Sequence, residues 1–197
     1  LPSIHCGITH ARAAHHSKGR LRRGPFGTSE LAHGDAERAI GIHNSYAYFA
    51  FEVGDAFAAR EHALQMLELS RRRDIPLVAS QLDTVARMLM MFGRHEAALD
   101  LLRPLIPQAG DPTRAGGIPD SDPKPYGLPE CVLTVAEAHR ALGRYATAQA
   151  ALRVAVRWAD ERHLRRFRSR VHLAQARLFA EIGDWHSAYS EHVAFHD

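Results

Sequence analysis

The side chains that could carry chemistry are plentiful in this chain, but their spacing does not assemble a reaction. Fourteen histidines, two cysteines and 22 acidic residues occur among 197. A zinc-hydrolase helix needs two histidines one turn apart with a glutamate after the first. His95-Glu96 begins that pattern, but Leu99 stands where the second histidine belongs. Gly116-Gly117 has no lysine to set against a phosphate, and no serine stands between the glycines of a nucleophile elbow. Cys6 and Cys131 are too far apart for a metal-type spacing, and so few cysteines suit a reducing compartment. The histidines are scattered, and His43 and His172 read as packed side chains rather than metal ligands. The expectation is a chain with no catalytic residue, no cofactor and no metal.

Composition sets the class. Apolar residues make up 46% and charged residues 24%, as in ordinary globular domains. The formal charge of +3 is too small to argue for nucleic acid by itself. No apolar run approaches the roughly 20 residues that span a bilayer. No signal-peptide core precedes the first charges, so the expectation is a cytoplasmic protein without a membrane segment. Leu1 in place of a methionine is read as the start of a piece of a longer protein.

The elements that must position any site announce themselves by repetition. Gly54, Gly93, Gly143 and Gly183 each have an alanine seven residues before (Ala47, Ala86, Ala136, Ala176) and five after (Ala59, Ala98, Ala148, Ala188). The residue before each glycine is apolar: Val53, Phe92, Leu142 and Ile182. Small residues at fixed places let two helices pack closely, and the glycine turns the chain between them. Such a unit cannot bury its apolar face alone and must stack on neighbours. The spacing predicts hairpins over 35–73, 76–106, 129–163 and 165–197, in a repeat domain covering 35–197. Pro76 suits a first helical turn, and Pro104 frays the end of its helix. The glycine spacings of 39, 50 and 40 place an insertion of about ten residues between the second and third units. It falls in the proline- and glycine-rich stretch 107–127, which reads as an exposed loop. Residues 1–34 carry Arg12, Lys18, Arg20, Arg22 and Arg23 with no acid before Glu30, and read as an irregular basic arm.

Two clusters lie on these helices. Tyr46, Tyr48, Phe49 and Phe51 crowd one, and Met88, Met90 and Met91 another; adjacent residues point to different faces, so each cluster can serve both core and surface. The core takes most of them, while an apolar residue left outside the first hairpin would make a partner surface. The basic runs Arg71–Arg73 and Arg162, Arg165, Arg166, Arg168, Arg170 read as solvated hairpin ends, since only Leu164 and Phe167 add apolar surface to the second and nucleic acid would need more.

Paired helices with Gly-x-aromatic-x-x-Ala at the turn, best seen in Gly143-Arg-Tyr-Ala-Thr-Ala148 and Gly183-Asp-Trp-His-Ser-Ala188, resemble the tetratricopeptide repeat. The period near 40 departs from the 34 residues of the standard unit. The resemblance implies an all-α, right-handed superhelical stack of about four hairpins. Lengthened units of this kind imply the sensor or protein-binding region of a bacterial signalling protein. The stretch Gly183–His196 resembles the final repeat of proteins that carry a GGDEF-type diguanylate cyclase downstream, which implies cyclic-dinucleotide signalling outside this chain. The alternative is the effector region of a bacterial transcription regulator.

The same resemblance implies a ligand, a protein or peptide segment, in the concave groove lined by the first helix of each hairpin. Carried over by spacing from the glycines, the groove residues are Asn44, Tyr48, Asp83, Arg87, Glu137 and Arg177, with Arg140 on the face of Glu137. Leu133 and Leu173 interrupt this polar surface. A rival use for these charges is pairing with each other across neighbouring helices. At the other end, Tyr189, Val193 and Phe195 form an apolar stripe with no following repeat to cover it, so a homodimer through the C-terminal hairpin is expected.

Overall fold

A computed structural model describes the backbone of residues 28–106 and 127–196, with side chains from Gly34 onward. Among the described residues the chain is all-helical. Its elements are α1 (Thr28–Glu52), α2 (Ala56–Arg73), α3 (Ala79–Met91), α4 (His95–Leu102), α5 (Leu128–Ala141), α6 (Tyr145–Glu161), α7 (Arg165–Glu181) and α8 (Trp185–His196). No helix among these is long and apolar enough to cross a membrane. The rest of the basic arm and most of the 107–127 stretch lie outside the described residues.

The chain turns where the glycines stand. At Gly93 φ is +69°, a left-handed conformation that costs a residue with a Cβ about 1–2 kcal/mol. Its N–H bonds Met90 O at 2.9 Å, and the next N–H, of Arg94, bonds Leu89 O at 2.9 Å. This double closure satisfies carbonyls that the end of a helix leaves open. The same pair of bonds closes α1 at Gly54, α5 at Gly143 and α7 at Gly183. Between hairpins, Asp74 and His163 take the left-handed position with φ of 53° and 54°.

Three boundaries differ from the sequence reading. The first helix begins at Thr28, so residues 28–34 of the expected irregular arm are helical. The third begins at Ala79 rather than Pro76, because Val78 is extended and its N–H is held by Gln81 Oε1 at 3.0 Å. The fourth ends at Leu102 rather than Ile106, because Pro104 has no N–H to continue the ladder.

The helices pack as antiparallel neighbours, α1 with α2, α3 with α4, α5 with α6 and α7 with α8. The first helices also approach one another in series, α1 to α3 to α5 to α7, whereas the backbones of α2, α4, α6 and α8 stay apart from one another. The first helices therefore form one continuous row. All eight framing alanines are buried, which is what lets the helices cross at close range. Of the apolar column before the glycines only Leu142 packs against the core; Val53, Phe92 and Ile182 are exposed. Gly127 starts α5 hard against α3; a Cβ there would lie 2.6 Å from Ser80 N.

Candidate functional site

The row of first helices carries a ladder of contacts between consecutive hairpins. Thr84 Oγ1 donates to Asn44 Oδ1 at 2.7 Å, joining α3 to α1. One hairpin on, Thr134 Oγ1 donates to Asp83 Oδ1 at 2.6 Å, joining α5 to α3. The residues in register at the third joint are Leu133 and Ala174, so this rung is apolar. Asp83 is buried, and loss of solvation pushes its carboxyl up to about 6, against the pull of the Thr134 hydroxyl and Arg87.

Beside the ladder lies a cleft of about 580 Å³ that spans all four first helices. Phe51 and Glu52 of α1, Arg87, Met90 and Met91 of α3, Leu133, Thr134 and Glu137 of α5, and Arg170, Leu173 and Arg177 of α7 line it. Arg87 is the most constrained of its charges. Its guanidinium carbon sits 4.6 Å from the Phe51 ring centroid and 5.3 Å from that of Tyr48, within cation–π range. Its Nη2 bonds Glu52 at 3.2 Å, while its Nη1 is buried without a hydrogen-bond partner. Arg170 reaches in from α7, donating to Tyr48 Oη at 3.3 Å with its guanidinium over the same ring. Arg177 has no ion-pair partner among the described residues.

The expected groove residues divide. Arg87, Glu137 and Arg177 line the cleft, and Tyr48 supports it by holding Arg87 and Arg170. Asn44 and Asp83 do not line it; they face the next hairpin and form the ladder. Arg140 bonds Glu137 at 2.7 Å and also pairs with Glu181, so it braces α5 against α7. The rival reading, pairing across helices, therefore describes Asn44, Asp83 and Arg140, and Arg87 in part through its bond to Glu52.

Other residues were missed. Phe51, Met90 and Arg170 lie three residues from groove positions already assigned, on the same helical face, and that spacing was the available signal. Arg170 in particular is not part of a solvated run: Arg168 pairs outward with Asp160 at 3.4 Å, while Arg170 turns into the cleft. The aromatic cluster splits too. Tyr48 and Phe51 serve the cleft, but Tyr46 and Phe49 are exposed rather than core.

The histidines at the expected positions do pack within hairpins. His43 Nδ1 lies 3.0 Å from His62 Nδ1, and His172 Nδ1 lies 2.7 Å from Glu191 Oε2. Burial, then the neighbouring His62, lowers the His43 pKa. Burial, with Asp83 and Glu130 nearby, raises that of the Cys131 thiol, so it stays protonated and is a poor nucleophile. Among the described residues no three metal-type ligands come together. At the C-terminus Tyr189 and Val193 are exposed, while Phe195 is half-buried against the rings of His192 and His196.

Comparison of the chain with protein-family models, with curated proteins and with solved structures finds no match.

Proposed function

We propose that the chain is a non-catalytic scaffold whose cleft holds an extended peptide or protein segment. Its hairpins continue as a right-handed superhelix of the tetratricopeptide kind. The serial contact of the first helices supports that course, since it puts one face of every hairpin on the same inner surface.

One observation carries the reading. Three arginines from two helices converge on a cleft walled by Phe51, Met90, Met91, Leu133 and Leu173, with Glu52 and Glu137 as its acidic lining residues. Glu52 is engaged by Arg87 and Glu137 by Arg140, which leaves Arg177 and Arg170 to meet an anionic group. The planar guanidinium fork pairs well with carboxylates. The ligand is accordingly a segment with acidic side chains alternating with apolar ones. The setting proposed for it is the regulatory region of a bacterial cytoplasmic signalling protein, with a diguanylate cyclase as the output lying outside these residues.

The test is fluorescence anisotropy with labelled ten-residue peptides of alternating Asp/Leu, Lys/Leu and Ser/Leu composition. The acidic peptide should bind most tightly, and Arg177→Ala should weaken it by about tenfold, the effect of about 1.4 kcal/mol. Equal binding of acidic and basic peptides, or an unchanged affinity in Arg177→Ala, would overturn the reading.

A further inference from the structure

Among the described residues, the first and last hairpins expose the two halves of a joint that the chain makes internally three times. In the second, third and fourth hairpins, the residues twelve, eight and five places before the turn glycine face the preceding hairpin. Val85 and Met88 of α3 share a core with Ala63 and Met66 of α2. Cys131 of α5 donates its thiol proton to Ala79 O of α3 at 3.4 Å. Of the nine residues at these places seven are buried, and the two glutamines, Gln81 and Gln175, are half-buried.

In the first hairpin the same places hold Ile42, Tyr46 and Phe49, which are 55%, 58% and 66% exposed, against 6% and 8% for Val85 and Met88. They line one surface depression over Gly41. This is a stacking face with no hairpin on it among the described residues.

The opposite half lies at the other end. The residues nine, twelve and thirteen places after the glycine face the following hairpin and are buried or half-buried in the first three units, as in Leu102, Leu105 and Ile106. In the last unit they are His192, Phe195 and His196. His192 and His196 are exposed, and the three rings pack against one another, with centroids 4.8 to 6.2 Å apart.

We infer that a second copy of this chain closes the joint head to tail, the α1 face of one copy seating on the α7–α8 end of the next. Both faces keep the positions of a contact that this chain's own hairpins already fit, and that continuity selects a second copy over an unrelated partner. The inference deepens the expected self-association of the last hairpin by naming the surface it meets. It also fixes the symmetry. A head-to-tail contact is heterologous, so each pair keeps one free head and one free tail, and association does not stop at two.

Complementation of two variants tests it by sedimentation velocity. The head variant is Tyr46→Glu with Phe49→Glu, and the tail variant is His192→Glu with Phe195→Glu. A second tail variant, His192→Glu with His196→Glu, changes only exposed residues and guards against misfolding. The unaltered chain should exceed twice the monomer mass as concentration rises, and each variant alone should remain monomeric. An equimolar mixture should form pairs and stop there, because it offers one good head and one good tail. A monomeric unaltered chain, a head or tail variant that still self-associates, or a mixture that stays monomeric would each overturn the inference. Persistence in the head variant would indicate a tail-to-tail dimer instead, and none of these outcomes depends on the cleft.

Discussion

Thr84 gives its hydroxyl proton to Asn44 across the first joint, and Thr134 gives its own to Asp83 at the same place in the second. The acceptor has changed from an amide to a carboxyl while the geometry has not. An amide accepts that bond at any pH. A carboxyl pays for ionising in the same burial.

Replacing Asp83→Asn should therefore stabilise the protein in a pH-dependent way. The folded-state pKa is raised, from 3.8 to about 6, so the stability associated with the neutral form is complete below 3.8 and lost as pH rises through about 6. A shift of about 2 units at 1.36 kcal/mol each puts an upper bound of roughly 3 kcal/mol on the gain above that window. Urea unfolding at pH 4 and pH 8 measures it. A gain of equal size at both would show that Asp83 does not titrate between them.

The His43–His62 contact gives the opposite slope. Burial and the second ring depress the His43 pKa below 6.5, so its contribution is complete above that value and lost as pH falls below it. In the second hairpin the equivalent residues are Leu82 and Leu101. Copying them, by His43→Leu with His62→Leu, should flatten the fall in melting temperature between pH 7 and pH 5. A fall as steep as in the parent would place the acid sensitivity elsewhere.

Caps divide the hairpins into two kinds. Asp55 Oδ1 accepts from Ala58 N at 2.9 Å, and Asp184 Oδ1 accepts from Ser187 N at 3.1 Å. Arg94 and Arg144 occupy the same place without a side-chain cap. Asp55→Ala should cost about 1 kcal/mol, and Arg94→Asp should gain a similar amount. Arg144→Asp should gain less, because Arg144 also bonds Glu96. Equal gains at both arginines in thermal unfolding would count against that contact.

Close packing is tested at two small residues. Ala136→Leu overfills a helix crossing and should cost roughly 1–3 kcal/mol. Gly127→Ala meets both the Ser80 backbone and a left-handed φ of 98°, and the backbone strain alone is about 1–2 kcal/mol. An unchanged denaturation midpoint for either would mean that the contact relaxes freely.

What was legible in the sequence was what steric necessity writes. A glycine in a left-handed turn and an alanine at a crossing have few substitutes, so Gly93 and Ala86 could be placed from one chain. The cleft was harder, because Asn44 and Tyr48 share a helical face and only the register between hairpins decides their use. Asn44 meets Thr84 across the joint, whereas Tyr48 is long enough to reach the arginines beside it. Arg170 was hidden for a related reason: four other arginines accompany it, and a run of charge gives no sign of which member turns inward. Tyr46 and Phe49 looked like core because aromatic residues usually are, and nothing local tells a covered face from an open one.

The apolar third rung has a mechanical consequence. Leu133 and Ala174 attract without direction, so that joint lacks the hydrogen bond that fixes the other two in register. Its polar braces are the pairs of Arg140 with Glu181 and of Arg168 with Asp160, which added electrolyte weakens. Arg170, Leu173 and Arg177 all ride on α7, beyond this joint, so its compliance, working against the Arg170–Tyr48 contact that ties α7 to α1, sets how wide the mouth opens. Ionic strength then becomes a dial on gape: the separation of spin labels on α3 and α7 should broaden from low to high salt, and a constant distribution would mean that the hinge is rigid.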